Sequence, residues 1–506
     1  MRGGDWTTAG WWRRVSRHRA LGLHGWRAAQ GIDWALSREV SLGAESPQDP
    51  GPSGQDETAT LLVGPGYVVT PEGILPEGGV LVRGGHIARV GPYATLSRAS
   101  TRASEDAAGP PGLLDTRGGL IMPGQINAHM HFYSALARGV SLGGEPAESF
   151  VQILERLWWR IDSALGPEDI RTSALLGLAE CIRCGTTTVI DHHASPHACE
   201  GSLDLIRTAV DEAGLRAALC YEVSDRNGRE LARAGIVENR RFARALAAEP
   251  ADRIAAHVGV HALFTVSEET LEQCVAVARE EDIRLHLHVA EDRADVEHSL
   301  EHFRERPVER LWRHGALTEN ALAVHCVHVD RREIELLAAT GTFVVHNPES
   351  NMNNAVGYAP IPELLEHNVC VGLGTDGMHS DMFAAARAAF LLQRHARGDP
   401  RAGWAEVPAM LWTHNARLAS RLFGHSLGVL AQGAAADLVV LDYDPPTPLE
   451  AENLFAHLVF GFDARHVAST VVAGRVLMRD RELLTIDTAE LSARAREQAR
   501  ALWERF

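Results

Sequence analysis

Lysine is absent from this chain of 506 residues, in which all 49 basic side chains are arginine. Without a lysine amine, the protein can form no Schiff base, anchor no cofactor through an imine and bridge no two metals with a modified lysine. Long apolar runs are also missing, and a membrane-spanning helix needs roughly 18 apolar residues in succession. The sequence therefore predicts no membrane span, and catalysis must depend on His, Asp, Glu, Ser, Cys or a metal ion.

Basic charge is scarce relative to acidic charge, because 66 Asp and Glu against 49 Arg give a net charge of −17. An acidic chain with no long basic stripe is a poor partner for nucleic acid or an anionic membrane. Cysteine is scarce as well, and the seven scattered thiols are typical of a protein in the reducing cytoplasm. Cys181 and Cys184 form a CxxC pair, but no second pair follows, so we expect packing roles for both.

The two ends of the chain differ from its middle. Residues 1–58 are rich in Arg and Trp and then in Gly, Pro and Ser, which predicts a disordered extension or a misassigned start. Short strand-and-turn patterns such as TLLVGPGYVVT and AADLVVLDYD occupy 59–120 and return at 426–485, and together they predict one small β-sandwich domain. Residues 486–506 predict a C-terminal helix. Its apolar positions, which could dock on the β-domain or on a neighbouring subunit, are Leu491, Ala495, Leu502 and Phe506.

The segment 121–425 alternates short apolar strands with amphipathic helical patterns such as ESFVQILERLWWRIDSAL. Together with the strand that begins INAHMH, seven further strand patterns make eight βα units, which predict an α/β fold of the (β/α)₈ TIM-barrel type. A doubly wound open sheet is the alternative, but no GxGxxG opens a helix after the first strand. The seven patterns are TTTVIDHH, RAALCYEV, RIAAHVGVHALFTV, RLHLHVAE, LAVHCVHV, TFVVHNPESN and VCVGLGTDG.

Candidate metal ligands stand at the ends of these strands. His129 and His131 in INAHMHFYSALARG are two residues apart, so both imidazoles lie on one face of the first strand. In a barrel of this type, active groups collect at the C-terminal ends of the strands, where His288 closes the fifth strand and Asp376 the eighth. Three imidazoles and one carboxylate suit a single zinc or ferrous ion and leave a position for water.

Candidate catalytic groups stand beside these ligands. A metal lowers the pKa of bound water from about 15.7 to about 7, which supplies hydroxide at neutral pH. Glu291 lies three residues past His288 and could deliver a proton to a ring nitrogen of the substrate. His325, in the sixth strand, could hydrogen-bond the attacking water and the developing oxyanion, and Asp376 could share in the proton transfer.

Several other histidines compete for roles at this site. His286 shares a strand face with His288 but lacks the HxxE spacing, so we expect it behind the ligands, and we expect a structural role for His328. His261 in GVHALFT is the best candidate for a contact with substrate. The other candidates for lining the substrate pocket are His192, His193, His346 and His379.

Four strings together resemble the metal-dependent amidohydrolase superfamily: PGQINAHMHFYSALARG, HVAED, HCVHVD and GLGTDGMHSDMF. More narrowly, they resemble its deaminase and chlorohydrolase branch, and LWWRIDSAL, VIDHHASP, SDRN and SNMNNAVGY are most similar to aminohydrolases of the SsnA type. The resemblance covers about 59–506. It implies that His129, His131, His288 and Asp376 bind one metal and that Glu291 and His325 move protons.

The sequence as a whole thus predicts a hydrolase that cleaves an exocyclic C–N bond of a cyclic amidine, such as a purine-like heterocycle, and releases ammonia. One divalent metal is expected, zinc by preference with Fe²⁺ as the alternative. The resemblance also implies a homo-oligomer, a dimer or a tetramer, in the cytoplasm with a small-molecule substrate. Two other functions stay open: chlorohydrolase-type displacement on a heteroaromatic ring, and a non-catalytic metal-binding accessory protein of selenium-dependent purine metabolism.

Overall fold

The computed structural model describes residues 60–103 and 112–506, so the extension predicted at 1–58 lies outside the described residues. Two nine-stranded sheets form the framework. The strands of the first sheet that precede the barrel are β1 Thr60–Thr70, β2 Gly73–Arg83, β3 His86–Pro92, β4 Gly112–Leu114 and β5 Leu120–Pro123. The barrel strands are β6 Gln125–Met130, β7 Thr186–Asp191, β8 Arg216–Leu219, β9 Glu222–Val223, β10 Ile254–Ala262, β11 Arg284–Val289, β12 Ala321–His325, β13 Phe343–His346 and β14 Val371–Leu373. The strands that return to the first sheet are β15 Leu438–Leu441, β16 Val467–Val472, β17 Arg475–Arg479 and β18 Glu482–Leu483.

The first sheet joins both ends of the described chain, in the order β18-β17-β16-β15-β5-β1-β2-β3, with β4 beside β1. Strands β15 and β5 pair antiparallel, with Val440 opposite Ile121, and they connect the two halves. Residues from several strands of this sheet, among them Val63 on β1, Val80 on β2 and Val471 on β16, are fully buried in one apolar cluster. The prediction of a small β unit assembled from distant parts of the chain is therefore confirmed.

The second sheet is a parallel barrel in the strand order β14-β13-β12-β11-β10-β8-β7-β6, with β9 beside β10. A parallel bridge between Met130 and Asp376 joins the first strand to the segment after the last one, which brings the ends of the sheet together. Each strand is buried along its whole length or nearly so, as parallel strands covered by helices must be. The predicted (β/α)₈ barrel is confirmed.

Helices cover the barrel and flank the first sheet. Up to β11 they are α1 Tyr93–Ala103, α2 Phe150–Ile153, α3 Trp159–Ala164, α4 Pro167–Cys184, α5 Ser202–Ala213, α6 Arg229–Ala248 and α7 Glu268–Glu280. After β11 they are α8 Arg293–Phe303, α9 Pro307–Arg313, α10 Arg331–Thr340, α11 Pro348–Asn353, α12 Ile361–Glu366, α13 Met382–Arg397, α14 Glu406–Pro408, α15 Asn415–Phe423, α16 Leu454–Phe460 and α17 Thr488–Trp503. The π-helical turns are Leu154–Trp158 and Ala409–His414. The 3₁₀ turns are Phe132–Ala137, Pro196–Ala198, Leu263–Thr265, Ala451–Asn453 and Ala464–His466. Within the two described segments, no helix is both long and apolar enough to cross a bilayer.

Helix α4 contains the CxxC pair and ends at Gly185. A proline stands in its first turn, and Gly185 ends it at φ 77°, a left-handed conformation that glycine adopts without strain. All seven cysteines lie in the described part of the chain and none forms a disulfide. Cys181 is fully buried, and burial raises the pKa of its thiol to about 12, so it stays protonated and packs as a small apolar side chain.

The C-terminal helix α17 docks on the barrel. Asp487 caps its first turn, and Leu491, Ala495 and Leu502 are buried. At its other end, the indole N–H of Trp503 donates to the carbonyl of Leu136, 2.9 Å away, in the turn that follows β6. The helix thus packs on α4 and on this turn, which are parts of the barrel and not of the expected β-domain, and docking on a neighbouring subunit stays a prediction.

A buried ion pair fastens the barrel to the first sheet. The guanidinium of Arg216, on β8, donates to both carboxylate oxygens of Asp437, just before β15, at 3.0 and 3.4 Å. Both side chains are 2% exposed, so removing either partner leaves a charge without compensation.

Replacement of Arg216 by leucine is expected to lower the free energy of unfolding by about 3–5 kcal/mol, because Asp437 would stay buried and unpaired. Chemical denaturation followed by circular dichroism would measure the change. Arg331→Leu is the matched control, since its partner Glu335 is on the surface and exposed pairs contribute about 0–1 kcal/mol. Equal stability of the two variants would contradict the structural role of the buried pair.

Candidate metal centre and active site

The four predicted metal ligands meet at the C-terminal mouth of the barrel. His129 lies in β6, His131 follows it, His288 is the last but one residue of β11, and Asp376 lies just beyond β14. A carboxylate oxygen of Asp376 is 3.1 Å from Nε2 of His131 and 3.7 Å from Nε2 of His129. The Nε2 atoms of His288 and His131 are 3.4 Å apart. Donor atoms from three strands therefore converge on one small volume.

The outer nitrogens of His129 and His131 have partners, whereas Nδ1 of His288 is buried and has none. Nδ1 of His131 donates to the carbonyl of His192 at 2.5 Å, and Nδ1 of His129 lies 2.9 Å from Nε2 of His286. In both of these rings, Nε2 is thus the nitrogen that faces Asp376, as in histidines that bind a metal. Nε2 of His129 is buried and has no hydrogen-bond partner, which a cation at this point would supply. The residues present therefore fit a divalent metal.

The electrostatics of the pair also favour a cation. Burial alone would lower the pKa of His131, but the hydrogen bond and the charge of Asp376 raise it to about 9. Burial lowers the pKa of His129 to about 3, so that ring keeps a free lone pair at neutral pH. The point between His131 and the carboxylate thus attracts a positive charge, which in the metal-free protein is a proton.

The backbone at the mouth is held in a sparsely populated conformation. Ala290, His325, Cys326 and Asp376 have φ values of 47°, 73°, 50° and 57°, in the left-handed region that residues other than glycine rarely adopt. Each such residue costs about 1–3 kcal/mol and persists only where surrounding contacts impose it. Asp376 shows the contacts: its N–H donates to the carbonyl of His129 at 3.0 Å, and its carboxylate accepts from the Ser350 hydroxyl at 2.6 Å. Three strand ends therefore turn sharply to present these side chains.

His325 connects the two carboxylates of the site. Its Nε2 lies 3.4 Å from an oxygen of Glu291 and 3.6 Å from an oxygen of Asp376. The amide of Asn351 donates to Nδ1 at 2.9 Å, so the ring carries its proton on Nε2, directed at both acids. Burial lowers the pKa of His325 to about 4, which keeps the ring neutral and a donor of one N–H.

The carboxylates themselves differ in ionisation. Burial and the nearby charge of Asp376 raise the pKa of Glu291 well above its usual value. The pKa of Asp376 is well below its usual value, because hydrogen bonds and charges from the histidines outweigh its burial. Carboxyl groups whose environments separate their pKa values in this way take the roles of acid and base. Of the two carboxyl groups, Glu291 therefore holds a proton more readily, and Asp376 is the more readily ionised.

The positioning residues of helix α11 were missed by the sequence analysis. Ser350 binds Asp376, Asn351 binds His325, and the amide of Asn354 donates to Glu291 at 3.2 Å. All three come from the string SNMNN, which the resemblance included without a role. A run of polar residues directly after the seventh strand is the sequence pattern from which these roles could have been predicted.

A cleft opens in front of the predicted metal ligands. Its aromatic side chains are Tyr133, Phe150, Trp158, Trp159 and Phe264. Its polar side chains, beyond the reactive groups, are Ser134, Glu222, Arg226, His261, Ser350, Asn353 and Asn354. The π-helical turn Leu154–Trp158 allows two successive tryptophans to line it, and such turns are frequent at functional sites. Flat apolar walls with a few polar groups suit a planar heterocycle.

Of the five histidines predicted to contact substrate or line its pocket, only His261 lines this cleft. His193 and His346 are buried outside its lining. His192 is fully buried behind the ligands, where its nitrogens face Glu222 at 3.1 Å and the carbonyl of His286 at 3.2 Å. His379 pairs with Glu349 at 2.6 Å, outside the cleft lining. Neither ring is placed for contact with a ligand in the cleft, since each is held by a partner that the sequence pattern does not reveal. His328, as expected, has a structural contact, with the carbonyl of Val356.

Glu222 is a carboxylate of the cleft that the sequence analysis did not single out. Burial opposes its ionisation, but contacts with His261, His192 and Arg226 hold its pKa below the usual range. Arg226 is itself ion-paired with Asp162 and lies over the ring of Trp159. The wall of the cleft thus carries the negative charge of Glu222, and the neighbouring side chains hold it in position.

Comparison with known proteins places these features in context. The sequence model of the amidohydrolase family matches residues 120–477 of this chain. The sequence model of an imidazolonepropionase-like composite domain of bacteria matches residues 78–100. A 5-methylthioadenosine/S-adenosylhomocysteine deaminase of Haloarcula marismortui is 37% identical over 430 residues, which are 82% of this chain and 96% of that protein.

Solved structures share the fold. An adenosine deaminase from Xanthomonas campestris with bound zinc has a TM-score of 0.76 and 27% identity, and the match covers 88% of this chain and 99% of that one. Atrazine chlorohydrolase from Arthrobacter aurescens, complexed with zinc, has a TM-score of 0.71 and 23% identity over 88% of this chain and 100% of that one. The second likeness shows the fold alone.

Proposed function

Because this chain belongs to the amidohydrolase family, we propose that it is a metal-dependent aminohydrolase that removes an exocyclic amino group from a purine-like heterocycle. One observation carries the proposal: Glu291, His325 and Asp376 meet at distances of 3.4 and 3.6 Å beside a cluster of imidazoles. A protein that only held a metal would have no need of this acid and base set.

The reaction adds water to a ring carbon and removes ammonia, so protons must move in both directions. A divalent cation held by His129, His131, His288 and Asp376 would acidify a bound water and so supply the nucleophile at neutral pH. Glu291 gives its proton to the ring nitrogen next to the carbon under attack. That carbon can then accept the new C–O bond.

The remaining steps use the same side chains. His325 donates its Nε2–H to the oxygen as negative charge develops there. Of the two protons that water brings, one restores Glu291 and the other passes through Asp376 to the amino nitrogen. The C–N bond then breaks, neutral ammonia leaves, and the ring carbon keeps a carbonyl oxygen.

The finer parts of the proposal concern the identity of the metal ion, the oligomeric state of the enzyme and its location in the cell. Zinc is the metal we favour, because three imidazoles and a carboxylate are a common zinc donor set and the Xanthomonas and Arthrobacter proteins hold zinc. Fe²⁺ suits the same donors. A cytoplasmic homo-oligomer and a special kinship with SsnA-type aminohydrolases stay predictions.

Ammonia release from a panel of heterocycles tests the function. We expect the zinc-loaded protein to release ammonia from at least one purine-like member of a panel of guanine, 8-oxoguanine, adenine, cytosine, their nucleosides, aminotriazines, 5-methylthioadenosine and S-adenosylhomocysteine. Coupled spectrophotometry measures ammonia, and ion chromatography measures chloride from chlorinated triazines. Chloride without ammonia would replace the proposal with the chlorohydrolase alternative, and no product from a metal-loaded protein would favour the accessory role.

A further inference from the structure

The carboxylate of Glu222 presents one free oxygen to the cleft. Its side chain is 2% exposed, and Oε2 accepts from Nδ1 of His192 at 3.1 Å. Within the described residues Oε1 accepts no hydrogen bond, since Arg226 faces it at 3.7 Å and His261 at 3.9 Å. The Arg226 guanidinium is instead hydrogen-bonded to Asp162 and Asn227. A buried anion is thus left with an unused acceptor atom on the wall of the cleft.

His261 presents a second acceptor to the same place. Nδ1 of His261 is 2.7 Å from the hydroxyl oxygen of Thr265. That hydroxyl donates its single hydrogen to the carbonyl of Ala262 at 2.9 Å, so it accepts the hydrogen bond from the imidazole. The proton of His261 is therefore on Nδ1, and Nε2 carries a lone pair. This lone pair faces the free oxygen of Glu222.

Nε2 of His261 and Oε1 of Glu222 are 3.9 Å apart, too far for a hydrogen bond between them and close enough for one donor group of a ligand to contact both. Both side chains line the cleft, so a ligand that supplies a donor there gains affinity. Hydrogen bonds to a charged partner are the stronger kind, and losing one weakens binding roughly 10- to 100-fold.

We propose that Glu222 and His261 form a donor-recognition pair, and that the preferred heterocycle presents an N–H or O–H group to it on the edge remote from the carbon under attack. This inference rests on the proposed aminohydrolase function and narrows its substrate class. Purines whose far edge carries only acceptors or methyl groups are disfavoured. The donor is a ring N–H in a free base or a hydroxyl in a nucleoside.

Glu222→Gln tests the pair, because the amide keeps the shape of the side chain and removes its charge. Binding to the zinc-loaded protein is followed by quenching of Trp158 and Trp159, which line the cleft. The probes are adenine and hypoxanthine, their 9-methyl forms and their ribonucleosides, so binding is measured whether or not a probe is turned over. Glu349→Gln is the matched control, since it makes the same chemical change in a side chain that pairs with His379 and does not line the cleft.

We expect the wild type to prefer the free bases over their 9-methyl forms roughly 10- to 100-fold, and Glu222→Gln to lose most of that preference. Glu349→Gln should keep it. A ribonucleoside whose binding depends on Glu222, beside free bases that do not, would identify hydroxyl as the donor and also support the pair. Equal losses for all probes would overturn it, as would no binding at all. Ammonia release is read separately, so a failure of the proposed function is distinguished from a failure of the pair.

Discussion

Glu291→Gln is expected to lower kcat for ammonia release roughly 10²- to 10⁴-fold, because general acid catalysis contributes about that much. Glutamine has the shape of the acid and can still accept from Asn354, but it has no proton to give to the ring nitrogen. The four groups that face the metal are untouched, so the variant should hold as much metal as the wild type. Steady-state ammonia assays and metal analysis of the same samples would measure both quantities.

Glu349→Gln is the matched control for this experiment. Glu349 lies next to Ser350 but pairs with His379 and does not line the cleft. Its variant should keep kcat close to that of the wild type. A Glu291→Gln protein that retains both metal and full kcat would remove Glu291 from the reaction and transfer the acid role to another group.

Removing the metal with a chelator is expected to abolish ammonia release, and adding zinc should restore it, because free water is a far weaker acid at neutral pH. Zinc must displace the proton that Asp376 holds on His131, whose pKa is about 9 without the metal. The zinc affinity should therefore fall as the pH is lowered from 9, with proton release on binding. Calorimetric titrations at two pH values would measure this.

Asp376→Asn should weaken zinc binding strongly, since it removes the charge that faces His131 and His129. His328→Asn is the control, because that imidazole bonds a backbone carbonyl outside the cleft lining. Full activity in the chelated protein would contradict the metal-dependent reaction, whatever the variants do.

The barrel and the positions of its ligands could be predicted because both follow from chain order. Parallel strands with helical crossovers have one edge where their carboxyl ends meet, so His129, His131, His288 and Asp376 had to lie near one another once the strands were found. Glu291 came with them, since it stands three residues past a ligand on the same strand end.

The contacts that orient these groups could not be predicted, because they depend on side-chain directions across the mouth. Asn351 contacts His325 through a helix whose angle no periodicity specifies. His192 follows the end of β7 and Glu222 begins β9, and their contact buries His192 away from the cleft that it was expected to line. In the same way, the C-terminal helix packs on α4 and on the turn after β6, where Trp503 donates to Leu136.

The bridge between Met130 and Asp376 makes the site depend on the completion of the barrel. As the chain is synthesised, His129 and His131 emerge first, and Asp376 emerges only after the last strand has left the ribosome. The anion reaches the histidines when the seam between the first and last strands has closed, and its N–H then bonds the carbonyl of His129. A chain that stopped before β14 would carry three of the four proposed ligands and lack the carboxylate charge of Asp376. Loading with metal is thereby coupled to the end of folding, and an unfinished barrel is left without a functional centre.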